Sequence, residues 1–353
     1  MKFEILSHAS MLVESNGCRL IIDPWLVGSC YWRSWWNYPA VSETARNIDE
    51  LDYIYLSHMH WDHFHGPSLN KLPKSATVLI PEAHFRRMKA DASLFGFESV
   101  VELPHGKTVE LEGGLTVASY QYGLFTDSAL IIGDGNTTLF DMNDCKLPRS
   151  ALNRVTSSFP RIDFVFRSHS SASAYPACVQ FEEPETKIYR QREDYLSDFV
   201  NTTGILGATF AIPFASSHCY LHKETIGYNG IAVSPRDVRE YFENSPPKGS
   251  TCVEMVSGDS WTEAEGFKLG HRDFFSDRAG IIDEYRIKYS AKLETQYELE
   301  RCATVSFDLF REYFQTLINS LPRLSRMLFN ARVVFIVLGQ SNQYWVIDFD
   351  SRT

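Results

Sequence analysis

The chain has 353 residues, of which 44% are hydrophobic and 22% charged, a balance that excludes disordered and fibrous proteins and fits a globular one with a real core. Its net charge of −10 argues against a nucleic-acid-binding surface, while still allowing a local cationic pocket for a small anionic substrate. Seven scattered cysteines (Cys18, Cys30, Cys145, Cys178, Cys219, Cys252 and Cys302) with no Cys-x-x-Cys pair fit a reducing compartment better than a disulfide framework or a zinc knuckle. No signal-peptide core opens the chain and no apolar run is long enough to span a bilayer, so a cytoplasmic location is expected.

Residues 3–6, 11–14 and 18–23 read as strands separated by turn residues, the last one ended by Asp23-Pro24. A long aromatic stretch follows, with Trp25, Trp32, Trp35 and Trp36 around Arg33. Such a loop either plugs itself into the body or lines a substrate cleft, and in the second case Trp25, Arg33, Trp35 and Trp36 are substrate contacts. Residues 51–56 then form an apolar strand that runs directly into Ser57-His58-Met59-His60-Trp61-Asp62-His63-Phe64-His65.

The pattern His58-x-His60-x-Asp62-His63 does not follow either periodic backbone. On a helix His60 would leave the face shared by His58 and Asp62; on a strand Asp62 and His63 would point to opposite sides. A loop curling off a strand end can aim all four at one point. Imidazoles and a carboxylate that converge in this way are ligands for zinc or non-haem iron.

Further along, a short helix is predicted at 67–72, a strand at 76–80, a helix at 82–95, and strands at 99–103, 108–111 and 115–120. A hairpin follows at 128–132 and 137–141, then a helix opening at Pro148, a strand at 162–166, a helix at 184–200 closed by residues 201–204, and a strand at 208–213. Strand groups with intervening helices, repeated twice, predict an α/β sandwich with sheets inside and helices outside. Past residue 230 the character changes: a turn cluster at 245–250, helices at 283–301 and 306–321, and a strand pair at 333–337 and 344–348 predict a smaller α+β appendage. The expected division is therefore a metal-binding catalytic domain over 1–230 and a C-terminal region over 231–353.

Four donors in one loop are too many for one small ion and too few for two. Asp144 sits in a polar turn past a strand end, where a carboxylate spans two metals; its alternative is to cap the helix near Pro148. His222 again follows a strand, and His218, four residues earlier, competes with it. Residues 167–176 hold His169 and Ser170 in a run of small side chains after a strand, either a pocket wall for an anionic or sugar-like group or a plain connection.

The signature His58-x-His60-x-Asp62-His63 after an apolar strand resembles the metal motif of the metallo-β-lactamase superfamily. Asp23-Pro24-Trp25-Leu26-x-Gly28, Arg33-x-Trp35-Trp36, Asn143-Asp144-Cys145 and Pro213-Phe214-Ala215 with His222 resemble one branch of it, the CMP-N-acetylneuraminate hydroxylases and their bacterial relatives. The resemblance covers about residues 1–225. It implies an αββα sandwich with two divalent metal ions, zinc or iron, at the edge where the sheets meet, held by His58, His60, Asp62, His63, Asp144 and His222. Two departures stand out: no Cys-x-His…Cys-x-x-His pair of a Rieske centre is present, and no histidine occupies the stretch 120–127, where the superfamily's hydrolases place another ligand. Either Asp127 substitutes there with oxygen or one of the two sites is weak or vacant, and oxygen-richer donors favour iron over zinc.

The leading expectation is a metal-dependent hydrolase acting on a small, anionic or sugar-like substrate through a metal-activated water, with Asp62 as catalytic base. The alternative is a non-haem di-iron monooxygenase, and the third possibility is a non-catalytic ligand-binding module.

Overall fold

In the computed structural model the described residues are 1–83, 86–123, 127–171, 190–270, 272–321, 332–337 and 343–348. Contact between segments divides the chain into two compact units, Met1–Leu293 and Glu294–Thr353. In chain order the first unit carries β1 (Lys2–Ile5), β2 (Met11–Ser15), β3 (Cys18–Ile22), β4 (Trp35–Asn37), β5 (Tyr53–Tyr55), α1 (Gly66–Leu69), β6 (Thr77–Pro81), α2 (Arg87–Ser93) and β7 (Ser99–Leu103). It continues with β8 (Thr108–Glu110), β9 (Thr116–Tyr122), β10 (Asp127–Gly133), β11 (Thr138–Asn143), α3 (Arg149–Ser158), β12 (Phe164–Arg167), α4 (Arg192–Leu206), β13 (Phe210–Pro213) and β14 (His218–Tyr220). The last elements are α5 (Pro235–Asn244), β15 (Thr251–Cys252), β16 (Ser260–Thr262), β17 (Gly266–Lys268), α6 (Arg278–Lys288) and α7 (Ser290–Cys302), whose end passes into the second unit.

Eight strands form one sheet in the order β17-β16-β1-β2-β3-β5-β6-β7, and seven form the other in the order β15-β13-β12-β11-β10-β9-β8. The period-2 pattern of the strands explains why both faces of both sheets are covered. Phe3, Val13, Leu20, Ile22, Tyr55 and Leu79 point inward and meet Val117, Leu130, Ile132, Leu139, Phe164 and Phe166 of the opposite sheet. Their alternates Leu12, Ile21, Ile54, Val78 and Ile80 face outward onto Leu69, Met88 and Ala92. Ile131, Phe140 and Val165 do the same against Leu152, Val155, Leu196, Phe199 and Val238 of α3, α4 and α5. The result is the αββα sandwich the sequence led us to expect.

Three details differ from the sequence reading. The compact units divide at 293/294 rather than at 230/231, because β15 extends the second sheet beside β13 and β16 pairs antiparallel with β1, opposing Phe3 to Trp261. Helix α4 runs through Gly204 and ends at Gly207, whose φ of 61° supplies the left-handed cap that Gly204 was expected to give. The predicted helix at 283–301 is two helices, α6 and α7, meeting at Tyr289. Residues 184–189 and 172–176 lie outside the described residues, as do 124–126.

The second unit contains α8 (Phe307–Ser320) and an antiparallel pair, β18 (Arg332–Val337) with β19 (Gln343–Asp348). No helix among the described residues is long and apolar enough to cross a membrane.

The topology also places the site. Strands β3, β5, β6 and β7 run parallel, as do β11, β12 and β13, so each sheet gathers strand C-termini at one edge, where α/β folds bind ligands. Asp23 follows β3, His58 to His63 follow β5, Asp144 follows β11 and Ser168 to Ser170 follow β12. Strand β1 runs in the same sense as β3, since each pairs antiparallel with β2, so His8 reaches this edge too.

Candidate metal centre

Two clusters of metal-ligating side chains form at that edge. His58, His60 and Asp144 present donor atoms within 4.8 Å of one another, and so do His8, Asp62 and His63. In the first cluster His58 Nε2 faces His60 Nδ1 at 2.8 Å; His58 is buried, Asp144 half-buried and His60 exposed. The second cluster is wholly buried.

The donor set fits divalent metals. His63 Nε2 is buried and has no hydrogen-bond partner among the described residues, yet it lies 3.4 Å from Asp62 Oδ2 and 3.3 Å from Asp144 Oδ2. His8 Nε2 is 3.0 Å from the same Asp62 oxygen. With metal–ligand bonds near 2.1 Å, neighbouring donors around one ion stand about 3.0–3.4 Å apart. Asp144 faces His63 and also belongs to the first cluster, the placement a bridging carboxylate needs.

A layer of partners behind the donors orients them. Asp23 Oδ2 accepts from His63 Nδ1 at 2.7 Å, which leaves Nε2 to face the cluster, and it also accepts from the Ser57 hydroxyl at 2.5 Å. Asp23 Oδ1 accepts from the Ser57 amide at 2.8 Å. The Ser57 hydroxyl lies 2.9 Å from His58 Nδ1. Asp62 Oδ1 accepts from the Tyr31 phenol at 2.6 Å. Asn143 turns the chain so that Asp144 leaves the strand toward the site: its φ is 37°, its amide group donates to Ser128 O at 3.0 Å, and its Oδ1 accepts from the Asp144 amide.

The electrostatics suit ligation. Burial, helped by the neighbouring His63, pushes the His58 imidazole down to about 3, so it is neutral and has a lone pair to give. Burial disfavours ionised Asp144, but the close approach and positive charge of His63 outweigh it and bring the carboxyl to about 2. Burial likewise opposes a charged Asp62, yet His63 and His8 hold its carboxyl well below the usual range. For His63 burial opposes charge, and the carboxylates of Asp62 and Asp23 overcome it and raise the imidazole well above its ordinary value. The carboxylates here are thus drawn around positive charge, the arrangement a metal cation also satisfies.

The expected ligands His58, His60, Asp62, His63 and Asp144 come together. His222 belongs to neither cluster among the described residues: it follows β14, and its Nδ1 accepts from the Glu224 amide at 3.3 Å. His218 is nearer the centre, stacked on Trp35 with ring centroids 3.8 Å apart and 5.4 Å from the His8 ring. His8, absent from the sequence reading, takes a place in the buried cluster. The signal for it was its position just after a strand, on the same edge as the motif.

The open cluster faces a cavity of about 520 Å3, whose walls include His60, Asp127, Asp144, Lys146, Ser168 and Ser170. Burial raises the Asp127 carboxyl above its ordinary value, opposed by His60. Of the expected substrate contacts, Trp35 and Ser170 line this cavity. Trp25, Trp36 and His169 are buried in the body instead; the Trp36 indole donates to Arg33 O at 2.8 Å and stacks on Tyr289. The Arg33 guanidinium donates to Lys292 O and lines a separate cavity of about 680 Å3 with Trp32, Trp61 and Phe95. Within the aromatic stretch Trp25 and Trp36 thus pack into the body, while Tyr31, Trp32, Arg33 and Trp35 border the two cavities.

Residues 2–122 match the family model of the beta-lactamase superfamily domain. Over 250 residues the chain is 27% identical to a Mycobacterium tuberculosis protein described as a Rieske 2Fe-2S iron–sulfur protein, a match covering 67% of this chain and 48% of that protein. The chain spans about half the length of the curated relatives matched in this way. It is 39% identical over 67 residues to the cytidine monophosphate-N-acetylneuraminic acid hydroxylase of Sus scrofa, covering 19% of this chain and 15% of the hydroxylase. Among solved structures, CmlA, a diiron beta-hydroxylase from Streptomyces venezuelae, aligns with a TM-score of 0.51 at 16% identity over 73% of this chain and 53% of its own. An isothiocyanate hydrolase from Delia radicum gut bacteria aligns with a TM-score of 0.55 at 15% identity over 74% and 98%.

Proposed function

We propose that the chain, which matches the beta-lactamase superfamily domain over residues 2–122 and resembles the CMP-N-acetylneuraminic acid hydroxylases over 67 residues, is a dinuclear metalloenzyme, loaded with iron, that hydroxylates a small polar substrate. The observation that carries this reading is the donor set of the open cluster. Where a hydrolase would add a third histidine, the cavity wall offers the carboxylate of Asp127 beside His60 and Asp144, and carboxylate-rich sites favour iron over zinc. The hydroxylase and the Rieske-named relatives support the same side.

In this reading His58, His60 and Asp144 would hold one ion, with Asp127 near it, and His8, Asp62 and His63 the other, with Asp144 between the two clusters. Bound iron would supply the activation of dioxygen. Overall, substrate C–H, dioxygen, two electrons and two protons give the alcohol and water, the electrons coming from a reduced iron–sulfur or flavin donor. Lys146 and the hydroxyls of Ser168 and Ser170 bind and orient an anionic or hydroxyl-bearing substrate in the 520 Å3 cavity.

Hydrolysis is the second reading, favoured by the complete His58-x-His60-x-Asp62-His63 motif. Against it, the Tyr31 phenol occupies Asp62 Oδ1 and Oδ2 faces His8 and His63, so neither oxygen is turned out to take a proton from water. Such a carboxylate is a firm ligand and a weak base. Elemental analysis of anaerobically purified protein separates the two. Iron near two equivalents, with oxygen uptake on addition of a reductant and substrate, is the expected result; tightly held zinc with oxygen-independent turnover would establish hydrolysis instead.

A further inference from the structure

Tyr31, Trp32 and Arg33 occupy the left-handed backbone region in succession, with φ of 50°, 53° and 61°. For bulky side chains this conformation is an outlier at one position, and here it occurs at three in a row. The segment is closed rather than loose: Cys30 and Trp35 exchange backbone hydrogen bonds of 3.0 and 3.2 Å, and Ser34 N donates to Tyr31 O at 3.0 Å. The Cys30 thiol donates to Trp61 O at 3.2 Å, tying the segment to the metal-binding loop. The Tyr31 ring stacks on Trp61 with planes 9° apart and meets Trp35 edge-on with centroids 4.9 Å apart. All of this holds one polar atom, the phenol oxygen, 2.6 Å from Asp62 Oδ1.

We propose that Tyr31 is a positioning residue for the metal centre: its phenol occupies Asp62 Oδ1, so that Asp62 offers Oδ2 alone to the buried cluster, as a monodentate ligand. Oδ2 is the oxygen that faces both His8 Nε2 and His63 Nε2. A carboxylate with both oxygens free tends to chelate an ion and take two coordination positions; one with an oxygen tied to a phenol takes one and leaves the other open for exchange. Backbone strain persists only where the surrounding structure enforces it, and it clusters where geometry serves function. The strained turn is the means by which a tyrosine in an aromatic stretch reaches a metal ligand 31 residues away.

The inference rests on Asp62 being a ligand, as in the function proposed above. The test is titration of metal-free wild type, Tyr31→Phe and Trp32→Gly with Co2+, following affinity and the visible absorption that reports coordination number. Tyr31→Phe keeps the ring and its stacking and removes only the hydroxyl. Two equivalents in wild type are expected, with one of them weakened about 10- to 100-fold in Tyr31→Phe, as for other partners of metal ligands, and with its absorption changed. Trp32→Gly relieves a left-handed position without touching the phenol, and is expected to retain wild-type affinity and spectrum. Unchanged affinity and spectrum in Tyr31→Phe would overturn the role of Tyr31 while leaving a dinuclear centre in place. Wild type that binds no cobalt would overturn both.

Discussion

The two clusters at the sandwich edge differ in enclosure more than in chemistry. His8, Asp62 and His63 are all buried, and an outer side chain grips two of them, Asp23 on His63 and Tyr31 on Asp62. His58, His60 and Asp144 grade from buried to exposed, and they open on a cavity that also holds Asp127 and Lys146. A buried, gripped set is preorganised for one ion and pays little reorganisation to bind it. On the proposed reading the open set is where a substrate would enter. Asp144 faces both clusters, so a retained ion would be coupled through one carboxylate to a reactive one.

The largest effect should come from cutting that link. Asp144→Ala is expected to lower bound metal from two equivalents to one or none and to abolish turnover, read by elemental analysis. Two equivalents retained would mean the clusters are independent. Next, His60→Ala should remove one equivalent and make the remainder resistant to chelator, whereas His8→Ala should weaken the buried ion and His222→Ala should leave both. Equal loss in His8→Ala and His222→Ala would break the assignment of His8. Asp23→Asn should weaken the buried ion about 10- to 100-fold with the open ion unaffected, as measured by competition with a chromogenic chelator.

The smallest effect isolates enclosure from ligation. Burial, with Ser29 opposing, lowers the His65 imidazole to about 4; burial also lowers His169 to about 4 and His58 to about 3. Unfolded imidazoles take up protons below about 6.5, while these folded ones stay neutral, so in that window the unfolded state binds more protons and stability falls as pH falls. His63 is shifted the other way; its contribution is already complete below 6.5 and is lost only as pH rises through its raised value, so it does not cancel this slope. Metal-free protein is therefore expected to melt lower at pH 4.5 than at pH 6.5, by roughly 1–2 °C for each kcal/mol lost in a chain of this length. A flat melting temperature across that range would show that these imidazoles are hydrated.

Much of the site was legible because its donors are local. His58-x-His60-x-Asp62-His63 spends six residues past one strand end, and Asp144 sits in a turn whose polarity marks it. The choice between His222 and its neighbours was not legible. After β13 the chain reverses and pairs β14 with β4, setting His218 opposite Asn37, and this pairing, not spacing along the chain, decides which imidazole lies beside His8. The aromatic stretch was ambiguous for the same reason: Trp25, Trp35 and Trp36 have the same amphipathic character whether they line a cleft or fill a body, and only their neighbours distinguish the two. The 293/294 division of the compact units was not legible because β15 to β17 are two or three residues long, too short to show a period.

The sequence by itself determined the alternation that buries both faces of two sheets, and the presence of a metal loop at the end of β5. Both follow from spacings of a few residues, which the backbone converts directly into direction. Only the tertiary structure decided that His8, 54 residues before Asp62, and Tyr31, 31 residues before it, would take hold of the same carboxylate. That meeting depends on parallel strands bringing their C-terminal ends to one edge and on a turn held in a conformation its residues would not adopt alone. Neither leaves a periodic mark in the chain.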